Sequence, residues 1–106
     1  MANNFSDAQV TISNNSLTDV VTASNKSLVI AGTMSNTTSS SINVTIKKYD
    51  ASATATFVIL NNIPLPSGSS LSLPKIVLQT SDKLQAQSNN SSGHLTVALQ
   101  MLTDVS

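Results

Sequence analysis

An all-β fold, a single antiparallel β-sandwich of about eight strands with jelly-roll or immunoglobulin-like topology, is what this sequence predicts, on three observations. Only 9% of its 106 residues are charged, all of them Lys or Asp. Ser, Thr and Asn carry the polar surface instead, and the residues that exposed helices favour are scarce. Thr and the β-branched aliphatics suit pleated strands, whereas Ser and Asn suit turns. Apolar residues also alternate with polar ones in short runs, spaced roughly ten residues apart and separated by Asn, Ser, Gly or Pro, as in sandwiches.

Taken in order, residues 1–7 show no periodicity and are read as a candidate N-terminal arm, with Phe5 as the anchor by which it would reach a neighbouring subunit. Residues 8–106 make the single domain, a length that supports one core without metals or disulfides. The first strand places Val10 and Ile12 on one face, and the second runs from Leu17 to Thr22. The third, Ser27 to Asn36, is expected to point Leu28, Ile30, Gly32 and Met34 one way and Val29, Ala31 and Thr33 the other. It is apolar on both faces between Leu28 and Ala31, which marks a central strand or an outer face that meets a partner.

The polar loop NTTSS is followed by the most regular alternation, with Ile42, Val44 and Ile46 inward and Asn43, Thr45 and Lys47 outward. A short turn at Ala51 to Ala53 returns the chain as Thr54 to Leu60, predicting a hairpin. Pro64, Pro66 and Gly68 then make a corner. Prolines remove backbone donors, so this stretch belongs at a sheet edge, with Ile63 and Leu65 inward. The run LSLPKIVL is a strand broken or bulged at Pro74. The next strand, Lys83 to Ser88, turns Leu84 and Ala86 inward. After the turn NNSSG, the last strand, His94 to Leu102, aligns Leu95, Val97, Leu99 and Met101.

The chemistry of sites is mostly excluded. Without Cys there is no disulfide, thiolate metal site or thiol nucleophile, which fits a reducing compartment. His94 is the only imidazole and sits at a strand start, so neither a catalytic triad nor a zinc site is predicted. The carboxylates Asp7, Asp19, Asp50, Asp82 and Asp104 are unpaired at short spacing, and Asp50 and Asp82 fall where turns need them. The Asn-x-Ser/Thr sequons follow from the abundance of those residues.

No catalytic residue, cofactor or metal is therefore expected, and the chain is read as not an enzyme. Net charge is zero, which leaves no basic patch for nucleic acid or an acidic membrane, and it favours self-association. The first residues lack the basic and apolar segments of a secretory signal, and no run has the roughly 20 apolar residues of a membrane helix. With three aromatics, a stacking platform for sugars or bases is poor.

Two stretches, LTDVVTASNKSLVIAGTMSNTTSSSINVTIKKYD and FVILNNIPLPSGSSLSLPKIVLQTSDKLQAQSNNSSGHLTVALQML, carry a resemblance. The order is an apolar strand, an Asn-rich loop, a strand ending at Tyr49-Asp50, a proline-glycine corner, then I-V-L, L-x-A-x-S and an alternating last strand. This resembles the small virion structural proteins of tailed bacteriophages over Leu17 to Leu102. The resemblance implies a non-enzymatic building block, most simply a capsid decoration or cement protein assembled in the host cytoplasm and resident in the virion. Its partners would be the major capsid protein, or neck and tail proteins if it is an adaptor there, together with copies of itself. A carbohydrate-binding module is the alternative of a different class. The interface residues expected are Phe5, Val29, Tyr49, Val58 and Leu102.

Overall fold

In the computed structural model, residues 4–13, 15–89 and 95–103 are described. His94, Asp104 and most of the NNSSG turn lie outside them. The strands are β1 (Asn4–Ile12), β2 (Thr18–Thr22), β3 (Ser27–Asn36), β4 (Ile42–Asp50), β5 (Ala55–Leu65), β6 (Ser70–Leu73), β7 (Ile76–Leu78), β8 (Lys83–Ser88) and β9 (Leu95–Thr103). They form two antiparallel sheets. The first, here sheet A, has the order β1-β9-β3-β6 with β7 also on β3, and sheet B has the order β2-β8-β4-β5.

The topology is a set of nested antiparallel pairs. Around the turn after β4, β4 pairs β5, β3 pairs β6 and β7, β2 pairs β8, and β1 pairs β9. This long hairpin is folded over and closed by β9 on β3 and β8 on β4, which is the jelly roll and not the immunoglobulin arrangement. β6 and β7 are two halves of one strand, because they pair with the two ends of β3 on either side of Pro74 and Lys75. The expectation of about eight strands holds in that sense.

The core between the sheets is built from Ile, Leu, Val, Ala and Met, with no aromatic ring among its buried residues. Ile42, Val44 and Ile46 face Leu95, Val97, Leu99 and Met101 across it, joined by Leu84, Ala86, Leu73, Ile76 and Leu78. Gly32 is needed where β3 passes beneath Leu73 and Leu99, since a Cβ there would lie 2.9 Å from a methyl of each.

One face assignment is overturned. The register of β3 on β9 shifts between Val29 and Ala31, so the alternation changes parity at Ile30. Leu28 therefore turns outward opposite Leu102, and Val29 turns inward opposite Met101. Val29 is fully buried, so it is a core residue and not an interface residue. The start also differs from expectation, because Asn4 to Asp7 continue β1 and pair residue for residue with β9.

The proline-glycine corner is narrower than its sequence implies. β5 runs through Pro64 to Leu65, tolerated because β5 is the edge of sheet B. The turn proper is Pro66 to Ser69, closed by Ser69 N–H on Pro66 O at 3.1 Å, with Gly68 at φ 73°. Buried Asn36 holds this corner. Its Nδ2 donates to Ser40 O (2.8 Å) and Leu65 O (2.9 Å), and its Oδ1 accepts from Thr38 N (2.9 Å) and Thr38 Oγ1 (2.6 Å). The Asn36 backbone pairs with Ser69 O and Gly68 N, both at 3.0 Å.

Candidate interaction surface

The strand registers dictate what each sheet shows to solvent. On sheet A, residues opposite one another share a face, so the outward side chains form rows across the strands. One row is Thr11, Thr96, Ser35 and Ser70, and the next is Gln9, Ala98, Thr33 and Ser72. Both are small and uncharged. The third carries Asp7, Gln100 and Ala31, and the fourth is Phe5, Leu102, Leu28 and Val77, an apolar row spanning the sheet.

Within that row, Phe5 is 83% exposed and Val77 46%, while Leu28 and Leu102 are half-buried between them. Both phenylalanines of the chain lie outside the core, Phe57 at 53% exposure. A small domain that fills its core with aliphatics and leaves its largest apolar side chains in water presents surface suited to a partner. Charge is nearly absent from this face, as in the centres of protein interfaces, and Asp7 is its one ionisable strand residue among those described.

Sheet B carries more charge, although its edge strand β5 also exposes Phe57 and Val58. Tyr49 and Lys83 face each other across β4 and β8, with the Lys83 ammonium 5.9 Å from the ring centre. Lys83 also lies 3.4 Å from Asp19, and Gln85 Nε2 donates to Asp19 at 2.8 Å. The Gln85 hydrogen bond, and then Lys83, hold the Asp19 carboxyl below its ordinary range. Farther along the sheet, a groove of about 320 Å³ is lined by amides and hydroxyls, including Asn15, Asn43, Asn62 and Gln87. Its wall is knit by Asn43 N–H on Asn89 Oδ1 (2.9 Å) and Gln87 Nε2 on Asn15 O (3.0 Å).

The two aspartates expected in turns are there. Asp50 Oδ1 accepts from the Ser52 hydroxyl and from the N–H groups of Ser52 and Ala53, and the Ser52 hydroxyl above all lowers its pKa. Buried Asp82 ties two turns together, accepting from Ala51 N and Gln79 N, both at 3.0 Å, with Lys48 Nζ 3.6 Å away. Among the described residues no cluster of three or more His, Cys, Asp or Glu could hold a metal. No helix there is long and apolar enough to cross a membrane.

The five interface candidates are thus not brought together. Phe5 and Leu102 adjoin on sheet A, whereas Tyr49 lies on sheet B and Val58, 53% exposed, lies on its edge strand β5. Val29 is inside. Leu28 and Val77 complete the apolar row but were not expected there. Val77 stands between two core residues in an unbroken apolar run, and Leu28 is displaced by the bulge, so only the cross-strand register reveals either.

No family model matches the chain, and no curated protein matches its sequence. Solved structures do share its fold. A chain in the acidic stable capsid structure of Helicobacter pylori bacteriophage KHP30 superposes with a TM-score of 0.70 at 9% identity, covering 98% of this chain and 92% of that one. A chain of the Bacillus endospore appendages, a family of disulfide-linked pili, gives 0.60 at 16% identity over 100% and 93%. A pentameric capsid protein from metagenomic phage sequences gives 0.51 at 20% identity, covering 92% of this chain and 60% of that one. At these identities the likeness is one of fold, and capsid chains of phages recur among those that share it.

Proposed function

We propose that this chain is a structural protein of a phage virion, a capsid decoration or cement protein that works by surface contact and not by catalysis. The observation that carries the reading is the correspondence in fold with a chain of the KHP30 capsid structure, over 98% of this chain and 92% of that one. The outer face of sheet A, with Asp7 as its one charged strand residue among those described, supplies the means. Burying Phe5 alone would contribute about 2 kcal/mol per subunit, multiplied over many copies on a shell. The appendage fold points to a different assembly, but that one is described as disulfide-linked, and this chain has no cysteine.

Cryo-electron microscopy of the assembled particle tests this. Density for the jelly roll repeated with icosahedral symmetry on the shell is the expected result. Density confined to the portal vertex would reject it in favour of a neck or tail adaptor.

A second reading rests on the amide-lined groove of sheet B, whose neutral donors and acceptors suit a hydroxyl-rich ligand such as a glycan. Specific binding on a glycan array, abolished by Asn62→Ala, would favour it.

A further inference from the structure

The two sheets have four edges, and three are blunted against pairing. β5 carries Pro64, two register shifts and Asn62 at φ 53°. The β6/β7 edge is interrupted at Pro74, and β2 is five residues long with a shift of its own. Prolines, bulges and short length are the usual devices that stop edge strands from recruiting another chain. β1 has none of them. It runs nine residues in unbroken register with β9, from Asn4 opposite Thr103 to Ile12 opposite Leu95, and contains no Pro or Lys.

We propose that β1 is a pairing edge for a second copy of this chain, joined antiparallel about a two-fold axis at Ala8. Ala8 is the midpoint of Asn4–Ile12, so this register pairs all nine residues and adds roughly eight backbone hydrogen bonds. It is also self-complementary. Asp7, the strand's only charge, comes opposite Gln9 of the second copy, whose amide already donates to Asp7 within its own strand at 3.2 Å. An axis at Asp7 would instead oppose two carboxylates. On the outer face Phe5 meets Thr11 of the second copy, an aromatic and β-branched pair of the kind that stabilises sheets.

On the inner face Ser6 meets Val10 of the second copy. Ser6 and Ala8 line a cavity of about 180 Å³ between β1 and β2, so the added valine arrives where the monomer is underfilled. Pairing would also extend sheet A into one continuous sheet with an apolar row at each end. The proposal stands apart from the virion role, and its failure would leave that role untouched.

Cysteine cross-linking tests the register, because the natural chain has no cysteine. Directly opposed residues of antiparallel strands lie about 4.5 to 5.5 Å apart, within reach of a disulfide. Ala8→Cys in the full chain is therefore expected to give a covalent dimer on mild oxidation. Thr11→Cys, about 20 Å from its own copy in this register, is expected to give several-fold less.

Sedimentation equilibrium on exposed-face variants gives a second readout. Gln9→Asp places two pairs of like charges across the axis and is expected to weaken the dimer about tenfold, whereas Gln9→Lys is expected to strengthen it. Equal cross-linking by the two cysteine variants, or the same shift from Gln9→Asp and Gln9→Lys, would overturn the proposal.

Discussion

Replacing Asn36 by alanine removes four hydrogen bonds from a residue that is 1% exposed. A typical intramolecular hydrogen bond contributes about 0.5 to 1.5 kcal/mol net, and a buried group left without a partner costs about 1 to 3 kcal/mol. Ser40 and Thr38 are near solvent, so water replaces most of what they lose. Leu65 is buried at 3% exposure, so water cannot replace the Asn36 amide at its carbonyl, and the other side-chain approach, from Ser41 Oγ, is long at 3.5 Å. The expected loss is about 2 to 3 kcal/mol in urea unfolding, a fall of roughly 10 to 20 °C in Tm for a domain of this size. Asn36→Asp sharpens the test, since a carboxylate cannot donate to Leu65 O or Ser40 O. Burial would raise the pKa of the introduced group, so this variant should regain stability as pH falls and the acid becomes a donor. A loss below about 0.5 kcal/mol for Asn36→Ala, or no recovery of Asn36→Asp in acid, would refute the role of Asn36 as the tie that holds the corner.

Gly32→Ala puts a methyl 2.9 Å from Leu73 Cδ1 and 3.3 Å from Leu73 Cβ, and is expected to cost about 1 to 3 kcal/mol by denaturant titration. Lys48→Met leaves buried Asp82 with its two backbone donors but no cation. Because Lys48 is one-quarter exposed and 3.6 Å away, a loss of about 1 kcal/mol is expected by the same assay. Asp19 and Asp50 have pKa values lowered by folding, so what they contribute is present at neutral pH and lost as pH falls below about 4. A thermal melt series should be level near neutrality and drop in that acid range, and Asp50→Asn should flatten part of the drop.

Much of the fold is legible in the sequence because inward residues repeat every second position. Ile42, Val44 and Ile46, like Leu95 to Met101, need no tertiary information to be placed. The corner is legible too, since Pro64, Pro66 and Gly68 act through their own backbone limits. What sequence periodicity misreads is β3, where a bulge at Ile30 reverses the alternation and exchanges Leu28 for Val29. Nothing local in SLVIAG marks that bulge, because both parities are apolar. The candidate surface is less legible still. Phe5, Leu28, Val77 and Leu102 come from four strands, and their adjacency exists only once β1, β9, β3 and β7 are in register. Asn36 likewise reads as one more loop residue, since its bond to Leu65 spans 29 positions.

The most direct test of the surface is the binding of purified protein to particles assembled without it, comparing Leu102→Asp with Lys47→Asp. Leu102 lies at the centre of the apolar row on sheet A, and Lys47 lies on the outer face of sheet B. Docking through sheet A predicts that Leu102→Asp remains a folded protein but loses at least tenfold in particle binding, while Lys47→Asp binds as the parent does. Undiminished binding of Leu102→Asp together with loss in Lys47→Asp would place the contact on the other sheet and contradict it.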